Sequence, residues 1–216
     1  MIRHWFEAAL AMGTQMTLST DLTHISSRDL SALRALLVHY NAFQGETRFV
    51  GVPFPESFAT TSGGITYLGA MNREEEALEV NLELEDYGLD GQKDYLLYDV
   101  ASSSYTLVNG SFAVSLAGNS FRLFLLRDDP GMVWTNSSFQ DESEDGMLRF
   151  RLAGPRAVAG FAQISSPLPT SVRLDGRELT RSSRGAAGNS YWYDDDTGVL
   201  RVRYRHDRPH TLEVDY

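Results

Sequence analysis

Nine residues constrain the fold of this chain more than any others. In LEVNLELED, residues 78–86, Leu78, Val80, Leu82 and Leu84 alternate with Glu79, Asn81, Glu83 and Glu85. A two-residue period puts apolar side chains on one face and carboxylates on the other, the mark of a strand with a dry and a wet side. The alternation returns near the end of the chain. There Leu200, Val202 and Tyr204 interleave with Arg201, Arg203 and Arg205, and Leu212, Val214 and Tyr216 repeat the pattern. Further strands are predicted at 65–71, 95–100, 104–108, 111–117 and 120–127. Asn109 and Gly110 predict a two-residue hairpin turn with positive φ at both positions, LAGNSF a second turn, and Asp175 with Gly176 a hairpin within VRLDGRELT. Short strands punctuated in this way predict antiparallel β-sandwich architecture.

The first 45 residues follow a different rule. Trp5, Ala8, Ala9 and Met12 recur at helical spacing and Gly13 can close the turn, so a helix is predicted over 3–13. MTLS, 16–19, reads as a short strand. ISSRDLSALRALLVHYNAF then predicts a second helix, capped by Ser26 or Ser27, with Asp29 in its first turn and Leu30, Leu33, Leu37 and Tyr40 on one face. Glu7 interrupts the only N-terminal apolar stretch, which suits an amphipathic helix better than a signal peptide.

Composition narrows the partners. The chain of 216 residues carries a net charge of −10, which argues against nucleic acid and against anionic membrane surfaces. It has no cysteine, so disulfides and thiolate metal sites are excluded, while the compartment, cytoplasmic or exported, is left open. No apolar run reaches the length of a membrane span. The polar stretch RDDPGMVWTNSSFQDESEDG breaks the strand rhythm except at its centre. The expected organisation is a helix–strand–helix segment over 1–45, an antiparallel sandwich over 46–130, a linker over 131–146 and a second small β domain over 147–216.

The opening stretch resembles the melibiase-type α-galactosidases and related glycoside hydrolases. In that family a catalytic (β/α)8 barrel ends in a helix, an apolar strand, an S-x-D-L segment and a last helix, then passes into a C-terminal β-sandwich. The matching stretches here are FEAALAMG, MTLS, STDL, THIS and RDLSALRALLVHYNAF, followed in the sandwich by YLGAMNRE, DYLLYDV and SLAGNSFRLFLLR. The resemblance covers roughly residues 5–127. It implies a mainly β fold: two antiparallel sandwich-like domains preceded by a helix–strand–helix remnant of a (β/α)8 barrel. It also implies that the two catalytic aspartates of the family have no counterpart here, so no hydrolysis is expected of this chain alone. Asp21 of STDL matches an aspartate better read as structural. The implied role is a non-catalytic accessory region that braces a catalytic barrel, with an upstream barrel or a second copy of the chain as partner.

Other chemistry is weighed residue by residue. The runs DESED and DDD are contiguous, so their carboxylates stay solvated and ionised instead of dividing into acid and base. YDDDTG does not follow a calcium-loop spacing and reads as a turn. His206 and His210 are four apart, but Pro209 and the strand pattern rule out a shared helical face, so no metal and no cofactor are expected. TSGGITY lacks the lysine and helix of a phosphate loop. The aromatic residues Trp134, Tyr191, Trp192 and Tyr193 are candidates for a carbohydrate platform, with Tyr191 and Tyr193 on one face of a strand and Trp192 on the other. The competing reading is that they fill a core. A stand-alone carbohydrate-binding sandwich module is the alternative function.

Overall fold

The structure is a computed structural model that describes residues 27–42, 47–50, 56–183 and 188–216. The predicted helix at 3–13, the strand at 16–19 and Asp21 lie outside the described residues. Two compact units divide the chain between Asp128 and Asp129.

The first unit begins with helix α1 (Ser27–Ala42), rich in Ala, Leu and Arg, which lose little side-chain freedom in a helix. Its buried side chains include Leu33, Leu36 and His39, spaced three apart. Leu30 and Leu37, placed on the predicted face, are only half-buried. A histidine inside the stripe is what leucine periodicity alone could not place.

Strands β1 (Thr47–Val50), β2 (Ser57–Ser62), β3 (Ile65–Asn72), β4 (Leu78–Glu83), β5 (Asp94–Asp99), β6 (Ser104–Asn109), β7 (Ser111–Leu116) and β8 (Ser120–Arg127) follow. Every pairing among them is antiparallel, in the order β1-β2-β3-β8-β5-β6-β7-β4. The link between β6 and β7 is a single residue pair, Asn109 with Ser111. The expected two-residue hairpin is therefore a layer change: Gly110 alone takes a positive φ, 66°, and β7 leaves to pair with β4. The β4–β7 ribbon folds over the larger sheet. Leu82, Val114 and Leu116 of the ribbon meet Leu68, Ala70, Tyr95, Leu97, Phe124 and Leu126 of the sheet in one apolar cluster. β4 is shorter than LEVNLELED promised, because Leu84–Tyr87 turn into a short 3-10 helix closed by Gly88. Leu82 and Leu84 are buried as expected, but Leu78 is 37% exposed at the strand's outer end.

β3 and β8 are buried on both faces. Helix α1 meets the outer face: the His39 ring lies edge-on to Tyr67 of β3, with Nδ1 2.8 Å from the tyrosine hydroxyl.

The second unit is a true two-sheet sandwich. Its strands are β9 (Gly131–Thr135), β10 (Ser138–Asp141), β11 (Met147–Ala153), β12 (Ala159–Ser165), β13 (Ser171–Leu174), β14 (Arg177–Glu178), β15 (Thr180–Arg181), β16 (Ser190–Asp194), β17 (Val199–Arg205) and β18 (His210–Asp215). One sheet runs β10-β11-β18-β13-β14 and the other β15-β16-β17-β12-β9. Phe150, Leu152, Leu174, Leu212 and Val214 of the first sheet pack on Ile164, Tyr193, Leu200, Val202 and Tyr204 of the second. The predicted Asp175 hairpin forms as read, with φ of 54° at Asp175 and 74° at Gly176. The expected linker over 131–146 is corrected. It supplies β9, buried along its whole length, and β10, so this domain starts well before residue 147. Polar composition hid β9 because Thr135, Asn136 and Ser137 are buried and satisfied by the fold, not by water: Thr135 Oγ1 donates to the Phe161 carbonyl at 2.6 Å and Asn136 Nδ2 to the Ala159 carbonyl at 2.9 Å.

Candidate functional site

The sandwich residues that carried the resemblance hold the first unit together. Asn72, at the end of β3, is buried, with Nδ2 2.7 Å from the Glu76 carbonyl and 3.1 Å from that of Ala117, while Oδ1 accepts from the Glu74 amide at 3.0 Å. The 72–77 loop is thereby drawn against the β7–β8 turn so closely that a Cβ on Gly118 would stand 1.8 Å from the Glu75 carbonyl oxygen. Only glycine fits there. Asp99, last residue of β5, is also buried. Its carboxylate accepts from the Ala101 amide at 2.9 Å, from Ser102 Oγ at 2.5 Å and from the Arg122 guanidinium. Arg122 also donates to the Ser115 carbonyl at 3.1 Å and lies 5.2 Å over the Phe124 ring. These groups tie β5, β7 and β8 together.

The acidic runs are turns. Asp141 Oδ1 accepts from the amide and hydroxyl of Ser143. Asp194 Oδ1 accepts from the Asp196 amide at 3.2 Å, and the Gly198 amide closes the turn onto the Asp194 carbonyl at 2.9 Å. His206 and His210 belong to different clusters. His206 Nε2 is 2.7 Å from Ser137 Oγ, which also bonds the Tyr204 hydroxyl, and all three side chains are buried. Burial pushes the Tyr204 phenol up to about 12, against the pull of its Ser137 bond, so the hydroxyl stays neutral. His210 sits between Asp175, 2.9 Å from Nδ1, and the Arg205 carbonyl, 2.8 Å from Nε2. Among the described residues no three His, Asp or Glu side chains converge as metal ligands.

The aromatic candidates divide between the two faces of the β15-β16-β17-β12-β9 sheet. Tyr193 is in the core and its hydroxyl donates to the Ser166 carbonyl at 3.0 Å, and Tyr191 packs against the same core. Both rings thus contribute to the packing of this core. Trp192 points to the opposite face, is half-buried, and carries the Arg201 guanidinium 5.1 Å over its ring. Cross-strand register extends the row: Trp192 pairs with Arg201, Arg201 with Gln163, and Gln163 with Trp134. Cross-strand partners share a face. The sheet therefore lines up Trp192, Arg201, Gln163 and Trp134 on its outer side, with Ser190, Arg203 and Phe161 in the next row. Trp134 is only 4% exposed, so the accessible aromatic of the row is Trp192. The alternation of Arg201, Arg203 and Arg205 is plain in the sequence, but their placement beside Trp192 depends on a register that only the fold supplies.

No protein-family model matches the chain, and no curated protein does. Among solved structures the chain is similar to a putative α-N-acetylgalactosaminidase from Bacillus halodurans, at 14% identity and TM-score 0.49, over 58% of this chain and 30% of that one. It is similar to α-galactosidase I from Mortierella vinacea at 10% identity and TM-score 0.48, over 59% and 35%. For a β-L-arabinopyranosidase from Geobacillus stearothermophilus the values are 17% and 0.48, over 59% and 30%. The chain thus spans about a third of the length of these enzymes. They include the class that the opening stretch resembles, but likeness at this level decides nothing about activity.

Proposed function

We propose that this chain is a non-catalytic accessory region of an α-galactosidase-like glycoside hydrolase, which braces the catalytic barrel. The observation that carries the proposal is the seat of α1. The resemblance makes this helix the last of a barrel, and here its buried side supplies His39 to Tyr67 on the outer face of the sandwich sheet. A sheet whose central strands are buried on both faces, with a helix on one of them, suits a brace better than a free-standing module. The engagement of Asn72, Asp99 and Arg122 in internal ties supports the same view, since it makes them parts of the scaffold. The test is to mix the full chain with a separately produced α-galactosidase barrel polypeptide that lacks its own sandwich. A rise in the barrel's melting temperature, with no hydrolysis of an aryl α-galactoside by the chain alone, is expected. Hydrolysis by the pure chain, or no effect on the barrel, overturns the proposal.

A second reading, a carbohydrate-binding module, draws on the outer row of the second unit, where Trp192 is accessible and steadied by Arg201. It predicts retention on an immobilised oligosaccharide that Trp192→Ala abolishes without unfolding the chain.

A further inference from the structure

Several strand arginines of the second unit face a carboxylate, Arg181 of β15 among them, 3.5 Å from Asp195. On the β10-β11-β18-β13-β14 sheet, Arg149, Arg151 and Arg173 are matched by carboxylates. Arg149 lies 3.7 Å from Glu213 and 3.9 Å from Glu142, Arg151 lies 3.8 Å from Glu142, and Arg173 reaches Glu213 at 3.3 Å and Asp215 at 3.0 Å. On the other sheet, Arg201, Arg203 and Arg205 project from one side of β17, at steps of about 7 Å as alternate residues of a strand. Arg201 rests on Trp192, while Arg203 and Arg205 are exposed, and among the described residues no carboxylate lies within ion-pair distance of either. In a chain of net charge −10, with acids to spare, the two guanidinium groups of Arg203 and Arg205 side by side make a local field of the opposite sign.

The chemistry of the face narrows what it would take. Arginine donates and cannot accept, so a ligand for this row must present acceptors. A neutral sugar hydroxyl presents acceptors too, but only an anionic group also answers the charge of Arg203 and Arg205. Carboxylates accept two parallel bonds from a guanidinium fork, a geometry that lysine and bare charge do not reproduce. Beside the arginines, Trp192 and Phe161 offer ring surface for the apolar side of a sugar.

We propose that the outer face of the β16–β17–β12 sheet binds uronic-acid-bearing polysaccharide. Arg203 and Arg205 fork the sugar carboxylates, and Trp192, steadied by Arg201, stacks on a sugar ring. This deepens the carbohydrate-binding reading and rests on it. The test is titration calorimetry of the full chain with hexagalacturonate, with a neutral galactohexaose, and with a sulfated dextran oligosaccharide. Hexagalacturonate should bind at least about tenfold more tightly than either of the others, and weaken as salt is raised. The double variant Arg203→Ala/Arg205→Ala, at two exposed positions, should lose about tenfold or more for hexagalacturonate with an unchanged melting temperature. Equal affinity for the sulfated chain would reduce the row to bare charge and overturn the proposal, as would a double variant that binds like the parent. If only the neutral hexaose binds, through Trp192, this inference fails and the carbohydrate-binding reading stands. If none binds, both fail.

Discussion

Each unit holds histidine out of water, by different means. In the first, His39 of α1 is fully buried, and its Nδ1 meets the neutral hydroxyl of Tyr67. Burial pushes the ring down to about 3, and burial also raises the Tyr67 phenol, so both partners stay uncharged across the ordinary range. In the second unit, His210 faces the Asp175 carboxylate and the Arg205 carbonyl, a site built from acceptors. One unit has set its histidine against a neutral hydroxyl, and the other has set one between a carboxylate and a carbonyl. The lesson is that burial alone does not describe a histidine's site. Its partners do, and His39 in one unit and Asp175 in the other predict which unit acid attacks first.

The largest expected effect follows from His39. Its folded value lies below the ordinary 6.5, so between those values the unfolded chain binds a proton that the folded unit refuses. Stability is therefore complete above about pH 6.5 and falls as pH drops toward 3, by a total on the order of 4 kcal/mol. Peptide-resolved hydrogen exchange across that window should show α1 and β3 losing protection while β11, β17 and β18 keep theirs. The variant His39→Gln should flatten the slope. A first unit that is indifferent to pH between 4 and 6.5 would break the contrast.

The Asp99–Arg122 tie gives the next largest effect. Arg122→Ala leaves a buried carboxylate with only the Ala101 amide and the Ser102 hydroxyl, at a cost of about 3 kcal/mol. The loss should be read in the first unit alone. The neutral counterpart in the second unit is Ser137, shared by Tyr204 and His206. Ser137→Ala strips both of a partner and should cost about 2 kcal/mol, confined to the second unit. Chemical denaturation followed by exchange on peptides from each unit checks both. Equal losses in the two units would mean that the ties are not local.

Much of the fold was legible in the sequence, and the failures share a cause. Alternation located β8, β17 and β18, and Asp175 with Gly176 fixed a hairpin correctly, because strand period and turn chemistry are local properties. β9 was lost in a presumed linker, since Thr135, Asn136 and Ser137 look solvated until Phe161, Ala159 and Tyr204 are brought beside them. The change of layer at Gly110 was missed for the same reason: which strand β7 joins is a long-range choice. At the candidate site, the sequence placed Trp192 opposite Tyr191 and Tyr193. It could not show that Arg201 would stack on Trp192, or that Trp134 would be closed off, because both follow from cross-strand register.

The smallest effect sharpens the second half of the contrast. Burial works to raise the Asp175 carboxyl, but the Thr211 amide, His210 and Arg208 outweigh it and hold the group below its ordinary 3.8. A depressed carboxylate contributes stability that is present above the unfolded value and lost as pH falls through the folded one. The β13–β14 corner should therefore hold at pH 5, where the first unit is already weakened, and loosen only below about pH 4. Asp175→Asn keeps a residue that tolerates the positive φ of this turn, and it removes the charge that Arg208 and His210 attend. It should cost about 1 kcal/mol at neutral pH and abolish the further loss in acid. If the corner of this variant still loosened below pH 4 like that of the parent, the acid response would belong to other carboxylates, and His210 would owe its place to packing against Tyr204, 5.7 Å away, more than to charge.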